Sequence, residues 1–69
     1  MDIEIITPFI KLDSLLKFAN VLESGGMAKT YIADGVVCVN GEIETRRGKK
    51  IYPGDTVTID EMDVQITVK

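Results

Sequence analysis

Sixty-nine residues with a formal net charge of -3, 45% hydrophobic and 28% charged, have the make-up of one small globular domain spanning 1–69. A chain this short buries only about 60% of its unfolded surface, no apolar run approaches the roughly 20 residues that cross a bilayer, and the first residues predict no secretory leader. With no histidine the commonest proton shuttle is missing, and a single cysteine forms no internal disulfide, which fits a reducing cytoplasm.

In chain order, Ile3-Glu4-Ile5 alternates and predicts a short strand, stopped by Pro8, which lacks the donor a ladder needs. Leu12, Leu15, Leu16, Ala19 and Leu22 then follow helical spacing, with Asp13 in the first turn, where a carboxylate suits free N–H groups. Phe18 and Val21 widen the apolar face, so Phe18 is expected in the core and the helix packed on two sides. Residues 23–26 break that helix, and Ser24 is a good N-cap for a second one carrying Ala28, Tyr31 and Ile32 on one face. Gly35 stands where a left-handed residue closes a helix.

The second half reads as strands. Residues 36–39 are a β-branched run, Asn40-Gly41 is the strongest short hairpin signal, and residues 42–44 return. Tyr52-Pro53-Gly54-Asp55 is a turn, and Thr56–Ile59 and Val64–Val68 are two more strands joined by a polar segment. The expected fold class is α+β, a helical pair packed on a small, mostly antiparallel β-sheet.

Few residues here suit catalysis. Cys38 lies among valines with nothing nearby in sequence to lower its pKa, so a buried structural thiol is expected. Asp60, Glu61 and Asp63 read as a solvated turn rather than a metal site. The chain is therefore expected to be no enzyme, with no cofactor, no metal and no small-molecule substrate. Small β-grasp sulfur carriers have a similar size but depend on a C-terminal Gly-Gly, where this sequence reads Thr67-Val68-Lys69.

Charge supplies the functional signal. Seven of the eight Lys and Arg lie between residues 11 and 50, with acidic stretches on either side. Four of them, Arg46, Arg47, Lys49 and Lys50, fall within five residues, with Gly48 expected to let the loop curve. A solvated loop is the plain reading; but crowded cations repel unless something anionic compensates, and arginine grips phosphate with paired hydrogen bonds while lysine acts as a point charge. A polyanion, RNA first, is the expected partner. The start of the second helix is a further candidate, since its first N–H groups have no internal partner and Gly25 and Gly26 carry no side chain to screen them. The alternative is that the glycines only permit a sharp corner. Ser24 joins these donors, and Lys29 and Lys11 extend the positive surface. Asn40 is included among the RNA-contacting candidates, with the hairpin turn as its first duty. Aromatics are few (Phe9, Phe18, Tyr31, Tyr52), which favours recognition of backbone shape, as in A-form RNA, over unpaired bases.

Lys11-Leu12-Asp13, Ser24, Ala28, Ile32, Gly35, Val37, Val39-Asn40-Gly41 and Gly54-Asp55 together resemble the RNA-binding domain named after small-subunit ribosomal protein four, the S-four domain. The likeness covers a core motif at about 11–59. More narrowly, Ser24-Gly25-Gly26-Met27-Ala28-Lys29 and residues 44–50 resemble the stand-alone bacterial YaaA or YbcJ type. The resemblance implies a two-helix αL-type motif on a small sheet, RNA bound by the helical pair and adjoining basic loops, and no catalysis. It also implies ribosomal RNA or a maturing ribosomal particle as the target; with no long apolar run, no membrane partner is expected. One departure stands out: many members carry arginine directly after the serine, where this chain has Gly25, so contacts at that spot fall to the glycine pair and the loop at 46–50. The rival class is a non-enzymatic protein adaptor that binds an acidic partner surface.

Overall fold

The computed structural model describes all residues, 1–69. Short strands β1 (Asp2–Ile3) and β2 (Ile10–Lys11) precede two helices, α1 (Leu12–Phe18) and α2 (Gly25–Ala33). The chain continues through β3 (Cys38–Val39), β4 (Glu42–Ile43), β5 (Lys50–Ile51) and β6 (Thr56–Ile59). A 3₁₀ turn (Asp60–Met62) leads into β7 (Val64–Val68). Five strands form one sheet in the order β1-β7-β6-β3-β4, antiparallel except for the parallel pair β1–β7. The class is α+β, with the helical pair packed on this sheet. No helix is long and apolar enough to cross a membrane.

Periodicity explains the core. Leu12, Leu15 and Leu16 recur at i, i+3 and i+4 on α1, and Ala28 and Ile32 at i and i+4 on α2; all five are fully buried. Val57 and Ile59 on β6, and Ile66 and Val68 on β7, alternate with less buried neighbours and point to the same side. With Leu22, Val37, Val39 and Ile51 they make a single cluster of 13 buried residues, none of them polar. In so small a core, fully burying a Leu or Ile contributes about 1.5–3 kcal/mol, so each such residue is a sizeable part of the stability.

Helix α1 is shorter than its apolar spacing predicts. It ends at Phe18 because Asn20 turns left-handed (φ 59), and Val21 and Leu22 donate back to the Leu16 carbonyl at 3.1 and 3.3 Å. Leu22 still reaches the core across that turn. Phe18, expected inside, lies on the outer side of α1 and is 64% exposed. Cys38 is half-buried rather than sealed. Helix α2 follows expectation: Ser24 Oγ accepts the Met27 N–H at 3.2 Å, and Gly35 closes the far end at φ 77.

The turns are as the sequence predicts. Asn40 and Gly41 both take positive φ (51 and 86), which puts Val39 opposite Glu42 across the β3–β4 hairpin. Gly54 takes φ 98 in the turn where Asp55 N–H donates to the Tyr52 carbonyl at 3.0 Å. A second, two-stranded ladder has no counterpart in the sequence reading: β2 pairs antiparallel with β5, Ile10 opposite Ile51 and Lys11 opposite Lys50.

Candidate nucleic-acid interface

The basic loop at 46–50 is fastened to the start of α1. No side chain caps that helix, whose N-cap residue is Lys11. Instead Leu12 N–H donates to the Lys49 carbonyl at 2.9 Å and Asp13 N–H to the Arg47 carbonyl at 3.1 Å, while Ser14 N–H is taken by Asp13 Oδ1 at 2.7 Å. All three first-turn donors are thus satisfied within the protein. The loop carbonyls turn inward to serve the helix, and the lysine and arginine side chains remain exposed or half-buried around it. Gly48 does not adopt positive φ, so the curve of the loop does not come from glycine's special freedom; these helix-capping bonds and the β2–β5 ladder hold it.

That ladder places Lys11 beside Lys50. The flanking Leu12–Lys49 hydrogen bond makes Lys11–Lys50 a non-hydrogen-bonded cross-strand pair, the kind whose side chains come closest. Like charges opposite each other destabilise a ladder unless a counter-charge joins them. Lys50 finds partial compensation over the Phe9 ring, its Nζ 4.9 Å from the centroid, and Phe9 in turn packs against Tyr52 at 5.9 Å between centroids.

Arg46 departs from the expected role of free phosphate grip. Its Nε donates to Glu44 Oε2 at 3.0 Å and its Nη2 to Oε1 at 3.1 Å, and its backbone N–H also reaches Oε2. The Arg46 guanidinium and backbone N–H hold the Glu44 carboxyl at about 2, well below the ordinary 4.5. The fork leaves three guanidinium N–H groups unused, but its charge is balanced. Lys69–Asp2, which joins the two ends of the chain, is the other ion pair. Lys11, Arg47, Lys49 and Lys50 have no carboxylate within ion-pairing distance. The patch therefore keeps four cations with no ion-pair partner, with Lys11 in place of Arg46.

The remaining candidates divide. Ser24, Gly25, Gly26 and Lys29 lie together at the start of α2, and no hydrogen bond or ion pair links them to the 46–50 loop. A Cβ at Gly25 would meet nothing within 4 Å, one at Gly26 only Ser24 Oγ at 3.8 Å, and neither residue has positive φ. The corner between the helices thus does not require glycine at either position. Asn40 is spent on the fold: its N–H donates to the Thr56 carbonyl (2.7 Å), its Oδ1 accepts Thr56 N–H (2.9 Å) and its Nδ2 donates to Asp55 Oδ1 (3.1 Å). Asp55 Oδ2 accepts Tyr52 N–H at 2.9 Å, so the two turns are welded together. The hairpin turn is thus the first duty of Asn40, as the sequence predicts; its exposed amide keeps one N–H of Nδ2 unused.

Beside the patch, between the β3–β4 hairpin and β5, lies a cleft of about 360 Å³ lined in part by Glu42, Glu44, Lys49, Lys50, Tyr52 and Asp55. Sequence reasoning missed Phe9, Tyr52 and Glu42 as members of this region. Only the pairing of distant two-residue strands brings them together, and such strands leave no periodic signal.

Comparison with known proteins finds relatives over most of the chain. A family model described as S4 domain matches residues 3–67. The "Probable ribosome maturation protein RlbA" of Bacillus subtilis (strain 168) is 48% identical over 58 residues, which are 84% of this chain and 82% of that protein. The "Putative RNA-binding protein YbcJ" of Escherichia coli (strain K12) is 44% identical over 59 residues, 86% and 84% of the two chains. The solution structure of E. coli YbcJ, described as revealing an αL motif involved in RNA binding, matches with a TM-score of 0.70 at 39% identity, covering 96% of this chain and 85% of that one.

Proposed function

This chain belongs to the S4 domain family, and from that premise we propose that it binds structured RNA in the cytoplasm, as a non-enzymatic part of ribosome maturation. Its target is ribosomal RNA or a maturing ribosomal particle. Lys11, Arg47, Lys49 and Lys50 grip phosphates along the β2–β5 ladder. Gly25 and Gly26 at the start of α2, with Ser24 and Lys29, supply a second point of attachment. The observation that carries the reading is the Lys11–Lys50 pair, two like charges held side by side with no carboxylate within ion-pairing distance of either. A phosphate placed between them converts a repulsion into two attractions. The relatives' names support RNA and ribosome maturation in the same direction.

The test is fluorescence anisotropy of labelled ribosomal RNA hairpins with purified protein, competed with a polyglutamate chain of equal charge. Hairpins that bind and resist the acidic competitor support the RNA reading. If polyglutamate displaces them at equal charge concentration, the protein recognises acidity alone, and an acidic protein surface becomes the better partner.

A further inference from the structure

The cleft beside the basic patch has a lining that phosphate does not suit. Three carboxylates, Glu42, Glu44 and Asp55, border it, with Lys49 and Lys50 on the same wall as the patch. Two of these acids already have partners: Glu44 accepts from Arg46, and Asp55 from Asn40 Nδ2 and Tyr52 N–H. Glu42 alone has no hydrogen bond and no ion pair, although it stands exposed next to lysines. Tyr52 adds an aromatic wall, held from behind by Phe9 and 47% exposed. The volume lies at the lower end of ligand pockets, about 300–1,000 Å³.

We propose that this cleft takes one unpaired RNA base, stacked on Tyr52, with a guanine edge on the Glu42 carboxylate; the proposal rests on the RNA-binding reading above. A carboxylate only accepts hydrogen bonds, through two oxygens side by side. Guanine is the base whose Watson–Crick edge offers two adjacent donors, N1–H and N2–H, and so fills both. Uracil presents one donor on that edge, and adenine and cytosine each set an acceptor beside their amino group. Stacking on an aromatic side chain supplies base affinity without sequence preference, and Glu42 supplies the preference. The flanking phosphates lie on Lys49 and Lys50, while the carboxylates keep phosphate out of the cleft itself. Phosphate grip and base readout are thereby separated on adjacent surfaces.

The test uses five synthetic RNA hairpins of one stem sequence: fully paired, or with a single bulged G, A, C or U. The quantity read is the ratio of bulged to paired affinity, which cancels any general change in the patch. The wild-type protein should favour bulged G over the paired hairpin by at least about fivefold, the low end of base–aromatic stacking, with A, C and U behind. Tyr52→Leu should bring every ratio close to one, Tyr52→Phe should retain them, and circular dichroism confirms that both fold. Glu42→Gln should level the four bulges while keeping them above the paired hairpin. Equal binding of all five hairpins by the wild type overturns the cleft proposal and leaves the phosphate patch standing. The same holds if Tyr52→Leu keeps the preference for G. Failure to bind any of the five overturns the RNA-binding reading itself.

Discussion

Glu44 and Arg46 occupy the same end of the basic loop, and their fork balances one charge of the basic patch. Glu44→Gln should free Arg46 and add about one phosphate contact, steepening the dependence of log affinity on log salt by roughly 0.7–0.9. Salt titration of the variant against the parent checks this; an unchanged slope would mean that Arg46 points away from the bound RNA. The same fork has a signature in acid. Because the folded Glu44 carboxyl titrates near 2 instead of its ordinary 4.5, the stability it contributes is complete above about 4.5 and is lost as pH falls toward 2. Thermal midpoints measured across that window should fall more for the parent than for Glu44→Gln. Asn40 belongs to the same scale. Removing its amide breaks two side-chain hydrogen bonds and leaves a Cβ residue at φ 51, so Asn40→Ala should cost about 2 kcal/mol in denaturant unfolding. A loss below roughly 0.5 kcal/mol would show that the two turns hold without their clamp.

Among the elements, α2 presents a start that packing does not explain. Gly25 and Gly26 have room for side chains and ordinary φ, yet glycine is a weaker helix former than alanine. A fold selected only for stability gains nothing from them there. Gly26→Asp should therefore leave thermal stability unchanged or raised by about 0.3–1 kcal/mol, since a carboxylate suits a helix N-terminus, while weakening RNA binding by like-charge repulsion. Undiminished binding would remove α2 from the interface.

Elements with a strong local signal were legible from sequence. Alternation marked β6 and β7 to their ends, Asn40-Gly41 fixed the hairpin, and Ser24 and Gly35 bracketed α2. What escaped was decided by distant partners. Strands β2 and β5 are two residues each and exist only because residues far apart in sequence pair, Ile10 with Ile51. Helix α1 ran on in the sequence reading because Leu22 keeps helical spacing, whereas Asn20 turns the chain earlier and Leu22 enters the core from a loop. That shift leaves Phe18 outside. The candidate site was legible as a run of charge; the salt bridge that cancels Arg46 and the ladder that recruits Lys11 were not.

At the scale of the whole molecule, a net charge of -3 and a local cluster of cations are two parts of one arrangement. The two end segments of the chain are net acidic, with Lys69 paired to Asp2, and cations with no ion-pair partner gather on β2, β5 and the loop that caps α1. Long-range repulsion from the acidic ends discourages indiscriminate adhesion to nucleic acid, and within a Debye length, about 8–10 Å, the local patch dominates. Binding should then depend on surfaces that reach the patch closely, which structured RNA does and an extended polyanion does less well. The central claim is that Lys11 and Lys50, joined by pairing rather than by sequence, form the middle of this patch. Its most direct test is the salt dependence of RNA binding for Lys11→Ala with Lys50→Ala against the parent. Loss of two phosphate contacts should weaken binding and flatten the log–log slope by about 1.5; a correctly folded double variant with the parent's affinity and slope would contradict the account.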